Sequence, residues 1–353
     1  MAKDSKYNIE KEQSQRNKYR AVLSELPPFV NDFLNNKEKK NVNTALAYAQ
    51  DLLVFFKYLQ EFSPLVKDKR IRDVEIDIIE KLSYRDINEY QDFLSIKHNE
   101  LSDEYNNNIR GIARKMSALR GLCKYLLVHH EIESDPTAGA DDTKVNFNDH
   151  EIVRMNVSEV NQLLQTVLDG IGTERQKAYL ERTKKRDYAI LYLLLNTGLR
   201  VSECVGLDVK DINFNENSIK VYRKGKKENI LYFDDDLADI LLDYLHNERD
   251  NYTETDKEQA FFLSTRKTRL STRSVQQLVE KYAGIAVSNK NITPHKLRST
   301  YGTALYNQTG DIRLVADVLG HSSVNTTAKY YAAVEDANRR KAAQIKPYKT
   351  NNK

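Results

Sequence analysis

A polar segment without periodicity divides this chain of 353 residues into two regions. Residues 134–151, SDPTAGADDTKVNFNDHE, contain proline, glycine and a run of polar side chains, which is typical of an interdomain linker. A length of 353 residues corresponds to two domains, or three at most. We therefore predict an N-terminal domain over residues 1–133, a linker over 134–151 and a second domain over 152–353.

The first region is predicted to be all helical, because its apolar residues recur every three or four positions. The pattern predicts helices over about 44–60, from about Asp86 onward, and over about 106–129. The third helix leaves a basic face opposite its apolar stripe, formed by Arg110, Arg114, Lys115 and Arg120. These four residues are candidates for DNA binding, and a solvated surface is the competing interpretation.

The second region is predicted to be mostly α-helical with a small antiparallel sheet. Helices are expected from about Ser158 and over 186–196. Two short alternating segments, 218–223 and 228–233, are separated by KGKK and predict a β-hairpin with Gly225 in the turn. The fold class is therefore mainly α, with helices returning after the hairpin.

Composition excludes several classes of protein. The longest apolar run, from Tyr188 to Leu195, has eight residues, whereas a bilayer span takes about 20. With no signal-like apolar stretch near residue 1, we expect a cytoplasmic protein that does not bind a membrane. Cys123 and Cys204 lie far apart and outside any Cys/His cluster, so neither a disulfide framework nor a metal site is expected. The net charge of +4 is too small to indicate a polyanionic partner by itself.

The segment ITPHKLRSTYGTALYNQTG predicts a helix that presents a phosphate-binding end. Thr293 suits the N-cap, Pro294 the first helical position and Gly310 the C-terminal stop. His295 and Arg298 then lie three residues apart on one face of the first turns. Free backbone N–H groups and the positive end of the helix dipole favour an anion at that end.

Further polar residues accompany other predicted turns. DIRLVADVLGH begins with Asp311 as a helix cap and ends with Gly320 at a sharp turn, which presents His321. Upstream, NTGLRVSEC places Arg200 after a glycine turn, with Glu203 three residues on and close enough to hold the guanidinium in a fixed pose.

A lysine and a tyrosine complete this set. Lys224 lies at the predicted hairpin turn, near Lys226 and Lys227, and Tyr330 and Tyr331 follow His321 by nine and ten positions. Two arginines, two histidines, a lysine and a tyrosine, without a carboxylate cluster that could hold Mg²⁺, suit attack on a phosphodiester by a side-chain hydroxyl.

The order of these motifs closely resembles the tyrosine recombinase (integrase) family. T-G-L-R-V-S-E is followed by R-K-G-K, H-K-L-R, L-G-H-S-S and a tyrosine. Matched residue by residue, the family's catalytic positions fall on Arg200, Lys224, His295, Arg298, His321 and Tyr330. The family's spacing of nine from the L-G-H histidine selects Tyr330 over Tyr331, and the R-K-G alignment selects Lys224. Ser299 and Thr300 depart from the pair that commonly follows H-x-L-R in the family.

This resemblance implies a fold and an assembly. NNNIRGIARKMSALRGLCKYLL, residues 106–127, looks like the last helix of the family's SAM-like core-binding domain. The resemblance also implies a homotetramer on synapsed DNA, in which the C-terminal helix docks into a neighbouring protomer. Val334, Ala337, Ala342 and Ile345 form a modest apolar stripe suited to such a helix, ahead of a basic tail that ends at residue 353.

The resemblance further implies site-specific recombination of double-stranded DNA through a 3′-phosphotyrosine, with no cofactor. The Xer branch, above all the single-recombinase Xer proteins, is nearest, which implies chromosome dimer resolution at a short palindromic site and a septal DNA translocase as partner. An integrase of a phage or other mobile element, with an excisionase, is the close alternative. A type IB topoisomerase and a non-catalytic DNA-binding protein are more distant alternatives.

Overall fold

The computed structural model describes residues 6–95, 109–141, 153–223, 228–250, 259–321 and 323–331. For Lys6, Tyr179, Thr326 and residues 329–331 it describes the backbone alone. The chain divides into two compact units, with the boundary between His150 and Glu151. The predicted hairpin turn with Lys224 and the predicted C-terminal helix and tail, 332–353, lie outside the described residues.

The described part of the first unit is helical, as predicted. Its α-helices are α1 (Lys6–Glu25), α2 (Asn31–Lys40), α3 (Val42–Phe62), α4 (Asp77–Lys81), α5 (Tyr84–Ser95) and α6 (Ile109–Val128).

Helix α3 is at the centre of the core of the first unit. The Asn41 side chain caps it by accepting hydrogen bonds from the backbone N–H groups of Asn43 and Thr44. Leu52 and Phe56 are completely buried, and α3 packs against α1, α2 and α6. The predicted helix over 44–60 is therefore confirmed, with one further turn distributed between its two ends.

Part of the predicted linker packs onto the first unit. The Asp141 backbone N–H donates to the Asn88 side chain on α5, which donates back to the Asp141 carboxylate. Arg120 on α6 donates to the Asp141 carbonyl, and Thr137 is 4% exposed. Residues 134–141 therefore pack against the first unit, and the predicted linker bounds, 134–151, stay a prediction; residues 142–151 lie outside the described residues.

The described part of the second unit contains nine α-helices and three strands. The helices are α7 (Val157–Asp169), α8 (Glu174–Leu180), α9 (Lys184–Thr197), α10 (Val201–Gly206), α11 (Asp235–Tyr244), α12 (Thr272–Ala286), α13 (Pro294–Thr309), α14 (Ile312–Leu319) and α15 (Val324–Tyr331). The strands are β1 (Ile212–Asn213), β2 (Ser218–Tyr222) and β3 (Glu228–Tyr232).

The strands form an antiparallel sheet in the order β1-β2-β3. Ile219 at its centre pairs with Ile212 on one side and Leu231 on the other. The β2–β3 pairing confirms the predicted hairpin, and the mainly α fold class with a small antiparallel sheet is confirmed as well. Strand β1 escapes prediction because two residues are too few to show alternation.

Helix α9 is the centre of the second core. It packs against α7, α11, α12 and α13, which explains why its residues 189–195 are apolar without interruption and do not form a stripe. The longest apolar run of the sequence is therefore a core helix, and no helix in the described ranges has both the length and the apolar character needed to cross a bilayer.

Candidate active site and DNA-binding surface

Helix α13 brings His295 and Arg298 into the site. It begins at Pro294 and ends where Gly310 adopts φ 67°, as predicted. Thr293 occupies the N-cap position, although its side chain makes no capping hydrogen bond. Arg298 is 2% exposed, so its charge is directed into the protein.

Helix α14 ends beside these residues and presents His321. The Asp311 carboxylate caps its start through the backbone N–H groups of Arg313 and Leu314. At its end Gly320 adopts φ 61°, and the His321 N–H turns back to the carbonyl of Ala316. The predicted cap and turn are both confirmed.

Glu203 is the only carboxylate among the described residues with ion pairs to three of the arginines around this helix end. Its Oε1 lies 2.8 Å from Arg200 Nη1 and 3.9 Å from Arg223 Nε, and its Oε2 lies 4.0 Å from Arg298 Nη1. Its Oε2 also accepts from the Arg200 backbone N–H at 2.8 Å. Glu203 thus contacts Arg200 as the spacing predicts, and its role in fixing the Arg200 side chain stays a prediction. One negative and three positive charges leave the site with an excess positive charge suited to a phosphate.

The same three guanidiniums donate to backbone carbonyls around the end of α14. Arg200 Nη2 donates to Gly320 O at 3.1 Å, and Arg298 donates to Gly198 O at 2.6 Å and to Leu319 O. Arg223 donates to the carbonyls of Asp317 at 2.9 Å and Val318 at 2.5 Å. The last carbonyls of a helix have no partner within the helix and carry partial negative charge, so the arginines stabilise this end.

Arg223 is a site residue that the sequence reasoning missed. Residues 219 and 221 of β2 are buried, and position 223 continues this alternation inward. The inward position could therefore have been found from the strand period, whereas the motif comparison considered only the neighbouring Lys224.

Both histidines favour the neutral form. Burial, followed by the charges of Arg298, Arg200 and Arg223, lowers the pKa of His321 to about 4. Loss of hydration, followed by the charges of Arg298 and Arg200, lowers the pKa of His295 from its ordinary value of 6.5. His321 Nδ1 lies 2.8 Å from the hydroxyl oxygen of Thr327 on α15. Neutral imidazoles can accept a proton from an attacking hydroxyl at neutral pH.

The structure brings four of the six predicted catalytic residues together: Arg200, His295, Arg298 and His321. The backbones of Tyr330 and Tyr331 lie on α15, which packs against α13 and α14. Their side chains and all of Lys224 lie outside the described residues. The choice of Tyr330 as nucleophile and of Lys224 as acid therefore remains a prediction.

The predicted basic face of α6 needs one correction. Lys115 is 8% exposed, so the prediction that it faces outward is wrong. The reason is its position three residues after Ile112 and four before Leu119, on the buried stripe. Arg110 is exposed, and half-exposed Arg114 forms a 2.6 Å ion pair with buried Asp51.

A second basic feature lies between α2 and α6 and was not predicted. A groove of about 280 Å³ is lined by Phe33, Asn36, Lys37, Lys40, Gly121, Lys124, Tyr125 and Val128. We call it the lysine groove. Lys37 lies over the rings of Phe33 and Tyr48, 5.0 and 5.1 Å from their centroids. The cluster Lys37, Lys39 and Lys40 at the end of α2 was the available sequence signal.

Within the described ranges, no three His, Cys, Asp or Glu side chains are grouped so that they could hold a metal ion. The two cysteines are buried and unbonded to each other.

Comparisons with known proteins show the family to which the chain belongs. Residues 153–338 match the phage integrase family. The chain is 34% identical over 333 residues to tyrosine recombinase XerC of Caldanaerobacter subterraneus subsp. tengcongensis, covering 91% of this chain and 87% of the relative. It is 30% identical to tyrosine recombinase XerS of Lactococcus lactis subsp. cremoris, covering 86% of this chain and 91% of the relative.

Solved structures share the fold. A XerH site-specific recombinase bound to a palindromic difH substrate, in a post-cleavage complex, superposes with a TM-score of 0.65 at 18% identity, covering 89% of this chain and 83% of that one. The Tn1549 transposon integrase superposes with a TM-score of 0.59 at 16% identity, covering 84% and 99%. Together with the family match and the two relatives, the site identifies the chain as a member of the phage integrase family and a tyrosine-type site-specific DNA recombinase.

Proposed function

We propose that this enzyme cuts and rejoins double-stranded DNA through a 3′-phosphotyrosyl intermediate on Tyr330. The observation that carries the proposal is the convergence of Arg200 and Arg298 on one helix end, beside His321 and around Glu203. Residues 200 and 298 come from distant parts of the sequence, and a pair of guanidiniums at one point suits a transferring phosphoryl group.

In this mechanism the two arginines stabilise the pentavalent phosphorane. The Arg200 side chain is 38% exposed and the Arg298 side chain 3% exposed. Arg200 is therefore the arginine that contacts the DNA phosphate from the protein surface. Buried Arg298 adds its positive charge from the protein interior. Glu203 orients Arg200 and reduces the repulsion among the neighbouring guanidiniums.

The remaining steps are proton transfers. A tyrosine hydroxyl has an ordinary pKa of about 10, and neutral His295 accepts its proton as the hydroxyl attacks phosphorus. His321 Nδ1 lies 2.8 Å from the Thr327 hydroxyl oxygen; in the tautomer in which Nδ1 accepts, neutral His321 carries its proton on Nε2 and donates a hydrogen bond from it to a non-bridging oxygen. Lys224 protonates the departing 5′ oxygen. One phosphodiester replaces another, so the scheme requires no ATP. Arg200 and Arg298 stabilise the charge on the phosphorane, which is the role that a metal would otherwise have, and attack by the partner duplex's 5′ hydroxyl completes the exchange.

We propose that both units bind the duplex, the first through Arg110, Arg114 and Arg120 on α6 and through the lysine groove. Arg114 Nη1 pairs with Asp51 and Arg120 Nη2 donates to the Asp141 carbonyl, which fixes the orientation of both guanidinium groups. A homotetramer on synapsed DNA, joined through the C-terminal segment after residue 331, is the assembly that strand exchange requires.

We propose further that the enzyme acts in the cytoplasm as a Xer-type recombinase that resolves chromosome dimers at a short palindromic site, with a septal DNA translocase as partner. Relatives named XerC and XerS align over most of this chain at 34% and 30% identity, which supports this role. The transposon integrase shares the fold alone, and integration of a mobile element with the help of an excisionase is the competing role.

Sequencing of covalently attached DNA tests this role. The protein is purified from growing cells under denaturing conditions, and the DNA that remains bound is sequenced. We expect one palindromic chromosomal site. Reads from the ends of a mobile element would contradict the Xer role, and reads scattered over the genome would indicate a topoisomerase.

A further inference from the structure

We propose that Arg223 is a positioning residue that anchors the end of β2 to the end of α14 and thereby holds Lys224 at the leaving oxygen. This inference rests on the proposed function, in which Lys224 is the general acid. Its own support is the position and bonding of the Arg223 side chain.

Arg223 joins two chain segments that are separated by nearly a hundred residues. It follows directly after β2, and its guanidinium donates to the carbonyls of Asp317 and Val318 in the last turn of α14. Because Lys224 is the next residue in the chain, a fixed Arg223 restricts where the backbone of Lys224 can lie. The end of α14 is itself held by Arg200 and Arg298.

The Arg223 side chain packs tightly against Gly320. A Cβ atom on Gly320 would lie 2.3 Å from Arg223 Nη1 and 2.4 Å from Arg223 Cδ. The side chain of Arg223 therefore packs directly against the turn that precedes His321, and only glycine permits this approach. Arg223 is 8% exposed, and its Nε is buried without a hydrogen-bond partner.

Donation to the last carbonyls of α14 explains why a donor is useful here, and the place of this donor, directly before Lys224, adds a second role. Ile219 and Val221 occupy the preceding inward positions, and another apolar residue would continue the core without the cost of burying a charge. The nearest carboxylate oxygen, Glu203 Oε1, lies 3.9 Å from Nε, too far for a hydrogen bond. Burial of the guanidinium has a desolvation cost, and besides stabilising the end of α14 the side chain connects the residue before Lys224 to the arginine cluster.

The test separates the general acid step from the rest of catalysis. Cleavage of ordinary DNA is compared with cleavage of DNA in which sulfur replaces the bridging 5′ oxygen of the scissile phosphate. In both, the tyrosine oxygen bonds to phosphorus; with sulfur the P–S bond breaks and the electron pair leaves as a thiolate. A thiol has a pKa of about 8.5, so this leaving group needs no protonation and bypasses Lys224.

We expect Arg223→Gln to slow single-turnover cleavage of ordinary DNA by about 100-fold, within the range of general acid catalysis, and to regain most of the wild-type rate on the sulfur substrate. Lys224→Ala should behave in the same way. Arg200→Ala should remain slow on both substrates, because the phosphorane still needs its clamp. Arg223→Gln combined with Lys224→Ala should be no slower on ordinary DNA than Lys224→Ala alone.

Several outcomes would overturn the proposal. They are an unaltered rate for Arg223→Gln on ordinary DNA, the absence of rescue by sulfur, and multiplication of the two losses in the double variant. Absence of rescue with Arg223 would mean that it stabilises the phosphorane itself. If the sulfur substrate fails to rescue Lys224→Ala, Lys224 is not the general acid. If the wild-type protein does not cleave DNA, the proposed function is wrong.

A matched control separates folding from positioning. Arg249 is equally buried, at 3% exposure, and its Nε donates to the carbonyl of Ala260 away from the site. Arg249→Gln should lower the free energy of unfolding. Its cleavage rate relative to the wild type should be the same on the oxygen and the sulfur substrates. If Arg223→Gln fails to fold, Arg223→Lys is measured in its place, and the same rescue by sulfur is expected.

Discussion

At the scale of single residues, the site depends on one carboxylate that separates three guanidiniums. Glu203→Gln keeps the shape of the side chain and removes its charge, which leaves Arg200, Arg223 and Arg298 mutually repelling. We expect a loss of about 1–3 kcal/mol in the free energy of unfolding and slower cleavage. Urea titration and single-turnover kinetics measure the two effects. Glu181→Gln, which breaks an exposed pair with Lys184, should change stability by less than about 1 kcal/mol.

The protonation of His295 gives a second prediction at this scale. A general base must be unprotonated, and the pKa of His295 is lowered from 6.5. Activity is therefore present at neutral pH and is lost as pH falls through a value below 6.5, where the imidazole gains a proton. The pH profile of kcat/KM for cleavage, which reports groups of the free enzyme, should show this midpoint. A midpoint at or above 6.5, or an unchanged acid limb in His295→Asn, would contradict the assignment of the base.

At the scale of secondary-structure elements, two helix-ending glycines form a matched pair. Gly198 and Gly310 have φ of 61° and 67°, but a Cβ on Gly198 would lie 2.5 Å from the Tyr301 ring and 2.7 Å from Leu319, whereas a Cβ on Gly310 meets nothing within 4 Å.

Gly310→Ala should therefore cost only the backbone strain, about 1–2 kcal/mol. Gly198→Ala should cost that strain and about 1–3 kcal/mol more from overpacking. It should also slow cleavage, since the Gly198 carbonyl accepts from Arg298. Thermal or urea unfolding of both variants measures the difference. Equal losses in the free energy of unfolding would show that the close contacts at Gly198 do not contribute to the cost of the substitution.

The lysine groove between α2 and α6 provides a prediction about DNA binding. Lys40→Glu and Lys124→Glu should each weaken binding several-fold and reduce the slope of log affinity against log salt by about 1, as expected for a lost phosphate contact. Lys39→Glu changes the charge equally and lies on the same helix, but Lys39 does not line the groove. Equal effects of all three substitutions would show that DNA affinity depends on the overall charge of the protein and not on the lysine groove.

Several elements could be predicted from the sequence, and the failures have physical causes. Helices α3 and α6 follow from apolar spacing, α9 from its uninterrupted apolar run and α13 from its capping residues. Lys115 was misplaced because a charged residue was assumed to be exposed, although its spacing from Ile112 and Leu119 places it on the buried stripe. Its neighbour in the core is Asp51, whose pKa burial raises to about 6 and whose partner Arg114 reaches the surface. A contact between α3 and α6 cannot be deduced from either helix alone.

At the scale of the whole molecule, each unit has its own core, and the catalytic set lies in the second. The order of the motifs predicted Arg200, His295, Arg298 and His321 as one site, and the fold brings them together from α10, α13 and α14. The order of motifs could not predict how the arginines are held, because their acceptors are backbone carbonyls with no residue signature. Arg223 is the clearest example, since its partners are the main chain of Asp317 and Val318.

Attack of Tyr330 on DNA without a metal is the step on which the proposed function depends, and covalent adduct formation on a nicked suicide substrate measures it. The duplex loses a short fragment on cleavage, so the phosphotyrosyl enzyme accumulates and is resolved by denaturing electrophoresis. In the presence of EDTA, we predict the adduct for the wild type and Tyr331→Phe and none for Tyr330→Phe, with DNA binding retained by all three. An adduct formed by Tyr330→Phe would show that another residue is the nucleophile, and an adduct that EDTA abolishes in the wild type would show that cleavage needs a metal.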